Sequence, residues 1–404
     1  MPAAGALLQK PDRNLRHDVY EAISKVRLEK KEEIDGVFDE LIKGRDNVAK
    51  NADFKNFRDY AFDMLARVDY TPEDCMAFHE GIAKGLVPLT KNILLERKEQ
   101  MGVEDLKPYD LSVDPSGLAA LKPFDGGQEL IEKSIAVFDK VDPYFGDCLS
   151  TMKKMGHLDL ESKPGKAPGG YNYPLYEIGV PFIFMNAVGT QRDMVTMMHE
   201  GGHAVHSFLT RDLPVTSFKS CPSEVAELAS MAMELISMDH WDIFYTDEAD
   251  LKRAKKNHLQ DLLSTLPWIA IIDQFQHWIY LNPSHSRDER KREWNNILKR
   301  YETGVVDHSG FEEYLDYSWQ RQLHLFEVPF YYIEYGMAQL GAISVYRNYK
   351  TDPKKAIEQY KAALKLGYTK SIHEIYETAG IKFDFSSSYV KELADFIQGE
   401  IEAI

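Results

Sequence analysis

The chain has 404 residues, of which 44% are hydrophobic and 28% charged, and its formal net charge is −16. This length and balance are typical of a globular protein with a large core. The acidic charge argues against nucleic-acid binding, which usually requires a basic surface. No segment approaches the roughly 18 consecutive apolar residues of a membrane span.

The cysteines and the N-terminal residues indicate a compartment. Cys75, Cys148 and Cys221 are too few and too widely spaced for a disulfide framework or a CxxC metal site. The first residues lack the basic region and the long apolar run of a signal peptide. We therefore predict a cytoplasmic protein that binds neither membranes nor nucleic acid, and we leave its oligomeric state open.

Helical periodicity dominates the chain. Residues 34–42 carry apolar side chains with the spacing of an amphipathic helix. Thr71 and Pro72 form a helix start signal, and the helix that follows is expected to kink near Pro88 and to end at Gly102. Further helices are predicted at 127–140, 143–155, 252–280, 288–302, 310–323, 331–349, 353–366, 370–379 and 388–402.

One region between 158 and 186 is different, because it is rich in Gly, Pro and aromatic residues. Residues 163–171 contain the breakers of a loop, and residues 180–186 have the composition of a strand. Pro181 suits an edge strand or the start of a strand. Either this is an edge strand that binds an extended peptide, or it is a core strand without a ligand role.

The next helix carries the most specific motif. Its start is predicted at Thr190, which begins a T-x-x-D capping sequence. His199 and His203 are four residues apart, so their imidazoles point to the same side and can reach one metal ion. Glu200 can reach a water on that metal. This is the HExxH arrangement of zinc peptidases, in which the glutamate is the general base.

A catalytic zinc site needs a third protein ligand. The metzincin continuation is excluded, because His206 replaces its glycine and Leu209 its third histidine. Glu227 lies in an apolar stretch, where an unpaired carboxylate would be costly, and is the predicted third ligand. Glu224 and Glu234 could orient an imidazole or be solvated charges, and for Glu224 we favour solvation. His206 is expected to pack or hydrogen-bond near the site rather than to bind the metal.

A second group of candidate residues lies near residues 319–336. Tyr332 and Tyr335 are three apart on a helix predicted to start after Pro329, so their hydroxyls can converge. Donors of this kind could stabilise the oxyanion of peptide hydrolysis. The alternative is an aromatic stripe of the core.

Taken together, these runs resemble the M3 family of zinc metallopeptidases, in particular its oligoendopeptidase F branch. The resemblance covers essentially the whole chain and rests on the runs at 56–60, 107–110, 169–171, 181–186, 199–206, 226–234 and 324–335. It implies a mainly α, multi-helix, zincin-type fold with a deep central channel and a small β element beside the HExxH helix. It also implies one zinc ion per chain and cleavage of short peptides.

The resemblance also assigns residues. It implies zinc ligands at His199, His203 and Glu227, with Glu200 as the base. It places the donors to the transition state at His324, Tyr332 and Tyr335, and contacts with the peptide backbone at Gly169, Gly170 and Tyr171. Phe184, in the predicted strand, is a further candidate for substrate contact.

Two features depart from the family pattern. Gly201 stands where a larger apolar residue is usual, and with Gly202 it places two glycines within a helix, at a cost of about 1 kcal/mol each. Packing must compensate for this. Members of this branch typically begin with a longer N-terminal helical lobe, and this chain is expected to start inside it, either as a short natural variant or as a fragment. Residues 1–155 are therefore predicted to form a partial lobe and 156–404 the catalytic domain.

The predicted function is therefore a zinc-dependent endopeptidase that cleaves oligopeptides. Two alternatives remain open. The first is a zinc carboxypeptidase or dipeptidase on a related helical scaffold, in which Arg321 or Lys166 could bind a terminal carboxylate. The second is a peptide-binding module without catalytic activity.

Overall fold

The structure is a computed structural model that describes residues 2–167 and 169–404. It contains two compact units, each built from separated stretches of chain. The first unit comprises the chain up to Ala120, Gln260–Ile333 and Phe385–Ala394, and the second comprises Leu121–Leu259, Glu334–Asp384 and Asp395–Ile404. The division into lobes at residues 155 and 156 stays a prediction.

The fold is mainly α-helical, as predicted. Within the described residues, no helix combines the length and the apolar character needed to cross a membrane. The helices are α1 Pro2–Leu7, α2 Arg13–Leu28, α3 Lys31–Asn51, α4 Phe57–Met64, α5 Pro72–Gly81, α6 Val87–Met101, α7 Gly126–Val141, α8 Pro143–Met155, α9 Gln191–Thr210, α10 Ser223–Ser237, α11 Glu248–Leu281, α12 Arg287–Arg300, α13 Glu312–Asp316, α14 His324–Glu327, α15 Tyr332–Thr351, α16 Pro353–Lys365, α17 Ile372–Thr378 and α18 Ser387–Ala403.

The predicted start and end of the helical stretch from Thr71 to Gly102 are confirmed. The side chain of Thr71 accepts a hydrogen bond from the Asp74 N–H, and Asp74 caps the Thr71 N–H in return. The expected kink is a π-helical turn at Ile82–Leu86 that joins α5 to α6. Gly102 ends α6 in the left-handed conformation with φ of 62°.

The prediction of a single helix at 310–323 is wrong. The chain instead forms α13, a 3₁₀ turn at Ser318–Arg321 and then α14. Two side chains, the indole N–H of Trp294 and the hydroxyl of Ser318, donate to the Leu315 carbonyl at 2.9 and 2.8 Å. Side-chain donors of this kind compete with the backbone for a helix carbonyl, so the regular pattern stops here.

The small β element beside the HExxH helix is confirmed. Strands β1 Leu158–Glu161, β2 Tyr171–Tyr173 and β3 Phe182–Ala187 form one sheet in the order β1-β3-β2, and β2 and β3 both contact α9. Of the two alternatives left open for β3, the edge strand is excluded. Strand β3 pairs in parallel with β1 on one side and antiparallel with β2 on the other, which leaves β2 at an edge of the sheet.

The two glycines of α9 allow close helix packing, which is the compensation that the sequence required. A Cβ at Gly202 would lie 2.7 Å from the Ala229 carbonyl oxygen and from the Ser230 Cα of α10. A Cβ at Gly201 would lie 2.4 Å from Cζ of Phe138 in α7. Glycine at both positions therefore allows α9 to pack closely against α7 and α10.

Candidate metal centre and active site

The metal centre is built on α9, whose start is fixed by its cap. Thr190 accepts from the Asp193 N–H, and Asp193 accepts from the Thr190 N–H at 2.9 Å, which forms the capping box predicted from the sequence. Met194, Met197 and Met198 are fully buried and hold the helix in the core of the second unit. The helix therefore presents His199, Glu200 and His203 from a rigid element.

Two imidazoles and one carboxylate converge in the second unit. Glu227 Oε2, from α10, lies 3.2 Å from His199 Nε2 and 3.8 Å from His203 Nε2. One ligand atom from each of the three residues lies within 4.8 Å of the others. Two nitrogens and a carboxylate oxygen are the donor set of catalytic zinc sites, so the residues present fit the metal that the sequence predicts.

A second carboxylate orients the first histidine. Glu234 Oε1 lies 2.6 Å from His199 Nδ1, which directs the other ring nitrogen, Nε2, towards Glu227. The other oxygen of Glu234 lies 3.6 Å from His258 Nε2. Outer carboxylates of this kind set the tautomer and the direction of a metal-binding imidazole.

Glu200 is a buried carboxyl group with spare bonding capacity. It is 6% exposed, and its Oε2 has no hydrogen-bond partner among the described residues. Burial raises the pKa of Glu200 to about 7, although the charge on His199 and the backbone N–H of Asn172 oppose the shift. A carboxyl group with a pKa close to neutral can both accept and return a proton, as a general base requires.

The three convergent groups are strongly coupled in the absence of a cation. Burial lowers the pKa of His199, but its bonds to Glu227 and Glu234 outweigh this effect and raise it well above the usual range. Burial lowers the pKa of His203 to about 4. Burial also raises the pKa of Glu227, yet the charges of the two histidines dominate and hold it at about 2.

His206 and Glu224, the two neighbouring candidates, both lie outside the group of convergent ligands. His206 is buried with its Nε2 3.6 Å from Cys221 Sγ, and it does not join the three convergent residues. Glu224 is buried in α10, so the interpretation of Glu224 as a solvated charge is wrong. Its main-chain carbonyl accepts a hydrogen bond from the Tyr376 hydroxyl at 3.0 Å.

The loop before β2 is held by β3. Asn186 donates to the carbonyl oxygens of Ala167 and Gly169 at 2.8 and 2.9 Å. Gly169 has a φ of 106°, which L side chains rarely adopt. Tyr171 pairs with Phe184 across the two strands, and their rings stack with centroids 5.0 Å apart. These contacts fix the position of Tyr171, which remains half-exposed.

The predicted oxyanion donors fall in different units. His324 and Tyr332 belong to the first unit, and their rings lie 4.9 Å apart. The side-chain amide of Gln322 donates to His324 Nδ1 at 2.7 Å. Tyr335 belongs to the second unit together with the convergent metal ligands. The catalytic roles of these three residues stay predictions.

Comparison with known proteins identifies the family. The sequence profile of peptidase family M3 matches residues 6–395. The chain belongs to peptidase family M3. The resemblance inferred from the sequence is thereby confirmed over nearly the whole chain.

The relatives of this M3 chain include oligoendopeptidases. It is 27% identical over 291 residues to an oligoendopeptidase F homolog of Borreliella burgdorferi, which covers 70% of this chain and 48% of the relative. It is 20% identical over 383 residues to oligopeptidase PepF of Bacillus subtilis. That alignment covers 93% of this chain and 55% of the relative. The chain therefore spans about half the length of these relatives.

A solved structure shows the same fold. PZ peptidase A with an inhibitor matches with a TM-score of 0.93 and 30% sequence identity, over 99% of this chain and 71% of that chain. The fold prediction is confirmed by this likeness.

Two features of this M3 centre were not foreseen from the sequence. His258 follows Glu234 by 24 residues and lies on a different helix, α11, so no spacing rule connects the two. The Asn172 N–H that contacts Glu200 is a backbone group in a short strand. Only the three-dimensional arrangement identifies such contacts.

Proposed function

We propose that the chain is a zinc-dependent endopeptidase that cleaves internal bonds of short peptides in the cytoplasm. The single observation that carries this proposal is the convergence of His199, His203 and Glu227 beside the buried carboxyl group of Glu200. Membership of peptidase family M3 supports it.

The three convergent residues would hold one zinc ion. When bound, zinc in such a site acts as a Lewis acid, which activates water and polarises a carbonyl group. Glu234 would keep His199 in the tautomer that presents Nε2 as a ligand.

Glu200 would move the proton. Its unpartnered Oε2 is available to accept a proton from the water that attacks the scissile carbonyl. The same carboxyl group would then return this proton to the leaving amine. The Asn172 N–H would hold the carboxyl group in position.

The negative charge on the carbonyl oxygen requires hydrogen-bond donors. The imidazole of His324 and the hydroxyls of Tyr332 and Tyr335 would supply them. Gln322, which donates to His324 Nδ1, would leave Nε2 of that ring to carry the proton.

The substrate would bind as an added strand. Strand β2 lies at the edge of the sheet, and the side chain of Glu200 contacts its backbone at Asn172. An extended peptide could pair with this edge. Gly169 and Gly170 would allow the peptide to approach closely. Tyr171 would contact a side chain of the peptide, and Phe184 would hold Tyr171 in place by stacking on its ring.

No specific observation favours the carboxypeptidase alternative. Lys166 donates to the carbonyl oxygens of Asp159 and Glu161 and lies over the ring of Phe184 at 4.3 Å. The guanidinium of Arg321 stacks on Trp268 at 4.3 Å. Both cations thus have partners within their own units, and neither is presented as a carboxylate receptor.

Hydrolysis of internally quenched oligopeptides would test the proposal, with products identified by mass. We expect internal cuts in peptides with blocked ends, loss of these cuts with a chelator, and their return with zinc. Cleavage that requires a free C-terminus would instead support a carboxypeptidase. Peptide binding without any cleavage by the zinc-loaded chain would contradict the proposal and leave a binding module.

A further inference from the structure

A second group of metal-ligand residues lies in the first unit, away from the chemistry described above. Cys75 and His79 are four residues apart on α5, and Asp273 and His277 are four residues apart on α11. Each pair therefore lies on one face of its helix. We call these four residues the buried cluster.

The distances within the buried cluster suit a single metal ion. One ligand atom from each of Cys75, Asp273 and His277 lies within 4.8 Å of the others. Asp273 Oδ2 lies 2.8 Å from His79 Nε2 and 3.2 Å from His277 Nε2. Ligands of one tetrahedral zinc lie about 3.3–3.8 Å apart, from bond lengths of roughly 2.0–2.3 Å. His79 lies outside the group of three and contacts it through Asp273, so a rotation of its side chain would be needed to complete the set.

The buried cluster also contains polar atoms that lack partners. The four side chains belong to residues that are at most 5% exposed. Within residues 2–167 and 169–404, Asp273 Oδ1 and both ring nitrogens of His277 have no hydrogen-bond partner. Buried polar atoms are nearly always satisfied, so each exception needs an explanation such as an ion. Coordination to a cation would satisfy the free carboxylate oxygen.

The centre on α9 provides an internal reference. There, two imidazole nitrogens approach one carboxylate oxygen at 3.2 and 3.8 Å. In the buried cluster, two imidazole nitrogens approach one carboxylate oxygen at 2.8 and 3.2 Å. Both groups combine an i, i+4 pair with ligands from a second helix. The buried cluster therefore has imidazole-to-carboxylate distances similar to those of a group whose donors fit zinc.

The surroundings of the buried cluster exclude water. The rings of Phe62 and Phe330 lie 6.1 and 5.4 Å from the ring of His277, and both phenylalanines are buried. The hydroxyl of Tyr301 donates to the main-chain carbonyl of His79 at 3.4 Å. A four-ligand site closed in this way is typical of structural metals, because no position is open to substrate.

We propose that Cys75, His79, Asp273 and His277 bind a divalent transition-metal ion of the zinc class in a structural site. Cys75 would lose its thiol proton to solvent when it binds. The thiolate and the carboxylate would then neutralise the charge of the ion, which a buried site requires. The sequence predicts one zinc per chain, and this proposal raises that number to two.

Cobalt substitution tests the proposal, because a thiolate ligand is present only in the buried cluster. The full chain would be produced in cobalt-supplemented minimal medium, so that the ion is present during folding. We expect two cobalt ions per chain by elemental analysis and a near-ultraviolet thiolate-to-cobalt charge-transfer band. The variant His203→Ala should lose one ion and keep the band.

Cysteine variants assign the band. The double variant Cys148→Ser/Cys221→Ser retains Cys75 as its only cysteine and should keep both ions and the band. Cys75→Ser should bind one ion fewer and lose the band. Cys148→Ser is the matched control for this change, since Cys148 is also buried but lies outside the cluster.

Three results would overturn the proposal. The first is a single ion and no charge-transfer band in the wild-type chain, a result that can be interpreted without any variant. The second is a band that survives Cys75→Ser, and the third is a band that disappears in the double variant. In each case the buried cluster would be a metal-free Asp–His hydrogen-bond network. Since His203→Ala is expected to keep the band, this test is independent of the proposed peptidase activity.

Discussion

The α9 centre and the buried cluster use the same geometry in different environments. Each combines two imidazoles with one carboxylate, and each takes a pair of ligands from one helix face. In the α9 centre the side chains of His199 and His203 are 21% and 19% exposed, whereas those of His79 and His277 are 3% and 6% exposed. Exposure and the number of ligands, rather than ligand spacing, therefore distinguish the proposed catalytic site from the proposed structural one.

The α9 centre also has a group that the buried cluster lacks. Glu200 lies beside the ligands without being one of them, and its Oε2 has no partner among the described residues. In the buried cluster, by contrast, the carboxyl group of Asp273 is itself one of the convergent groups. The predictions that follow test this difference, and they begin with the largest expected effect.

Glu200→Gln should abolish turnover without removing the metal. The amide cannot accept the proton from water, and positioned general bases contribute about 10²- to 10⁴-fold to the rate. Steady-state kinetics on a quenched peptide would measure the loss in kcat, with zinc content as the control. Activity within about tenfold of wild type would remove Glu200 from the mechanism.

The same substitution should change how stability depends on pH in chelated protein. Burial raises the pKa of Glu200 from 4.5 to about 7. Between these values the unfolded chain has released a proton that the folded chain retains, so the folded state loses stability as the pH rises. The loss should reach about 3 kcal/mol above pH 7 and be absent in Glu200→Gln.

Urea unfolding at pH 5 and pH 8 would measure this effect as a difference between wild type and variant. Titration of all other groups largely cancels in that difference. A difference that does not change with pH would show that the pKa of Glu200 is ordinary in the folded state.

Glu234→Gln should weaken metal binding at the α9 centre. Glu234 Oε1 lies 2.6 Å from His199 Nδ1, and outer partners of this kind contribute about 10- to 100-fold to metal affinity. Competition with a fluorescent chelator would measure the change. Glu248→Gln, which alters an exposed carboxylate of the same unit, should leave the affinity unchanged.

Gly202→Ala should separate α9 from α10. The added Cβ would meet the backbone of Ala229 and Ser230 at 2.7 Å, and overpacking typically costs about 1–3 kcal/mol. Because Glu227 is carried by α10, zinc affinity should fall as well. Thermal unfolding and zinc titration would record both effects.

Gly399→Ala is the matched control for that change. Gly399 lies in α18, and a Cβ there would meet none of the described heavy atoms within 4 Å. Alanine should therefore stabilise the helix by about 0.5–1 kcal/mol. Equal effects of the two substitutions would contradict the close packing of α9 on α10.

The sequence predicts the α9 centre well because its signals are local. His199, Glu200 and His203 lie within two helical turns, and the apolar neighbours of Glu227 identify it as a buried carboxylate. The capping box at Thr190 shows where the helix begins. Periodicity and capping are determined by neighbours in the chain, so they can be read before the fold is known.

The buried cluster could not be predicted in the same way. Almost two hundred residues separate Cys75 and His79 from Asp273 and His277, and neither pair alone differs from an ordinary helix turn. Likewise, the break after α13 depends on the indole of Trp294, which comes from α12. The central position of β3 depends on pairing with β1. Contacts between distant segments decide all three features.

Anomalous X-ray diffraction from crystals of the zinc-loaded chain would test the account most directly. Difference maps from data above and below the zinc absorption edge locate each ion independently of any activity. We predict one peak bounded by His199, His203 and Glu227, and a second bounded by Cys75, His79, Asp273 and His277. The absence of a peak at the first position would contradict the zinc peptidase proposed here, and its absence at the second alone would leave one metal per chain.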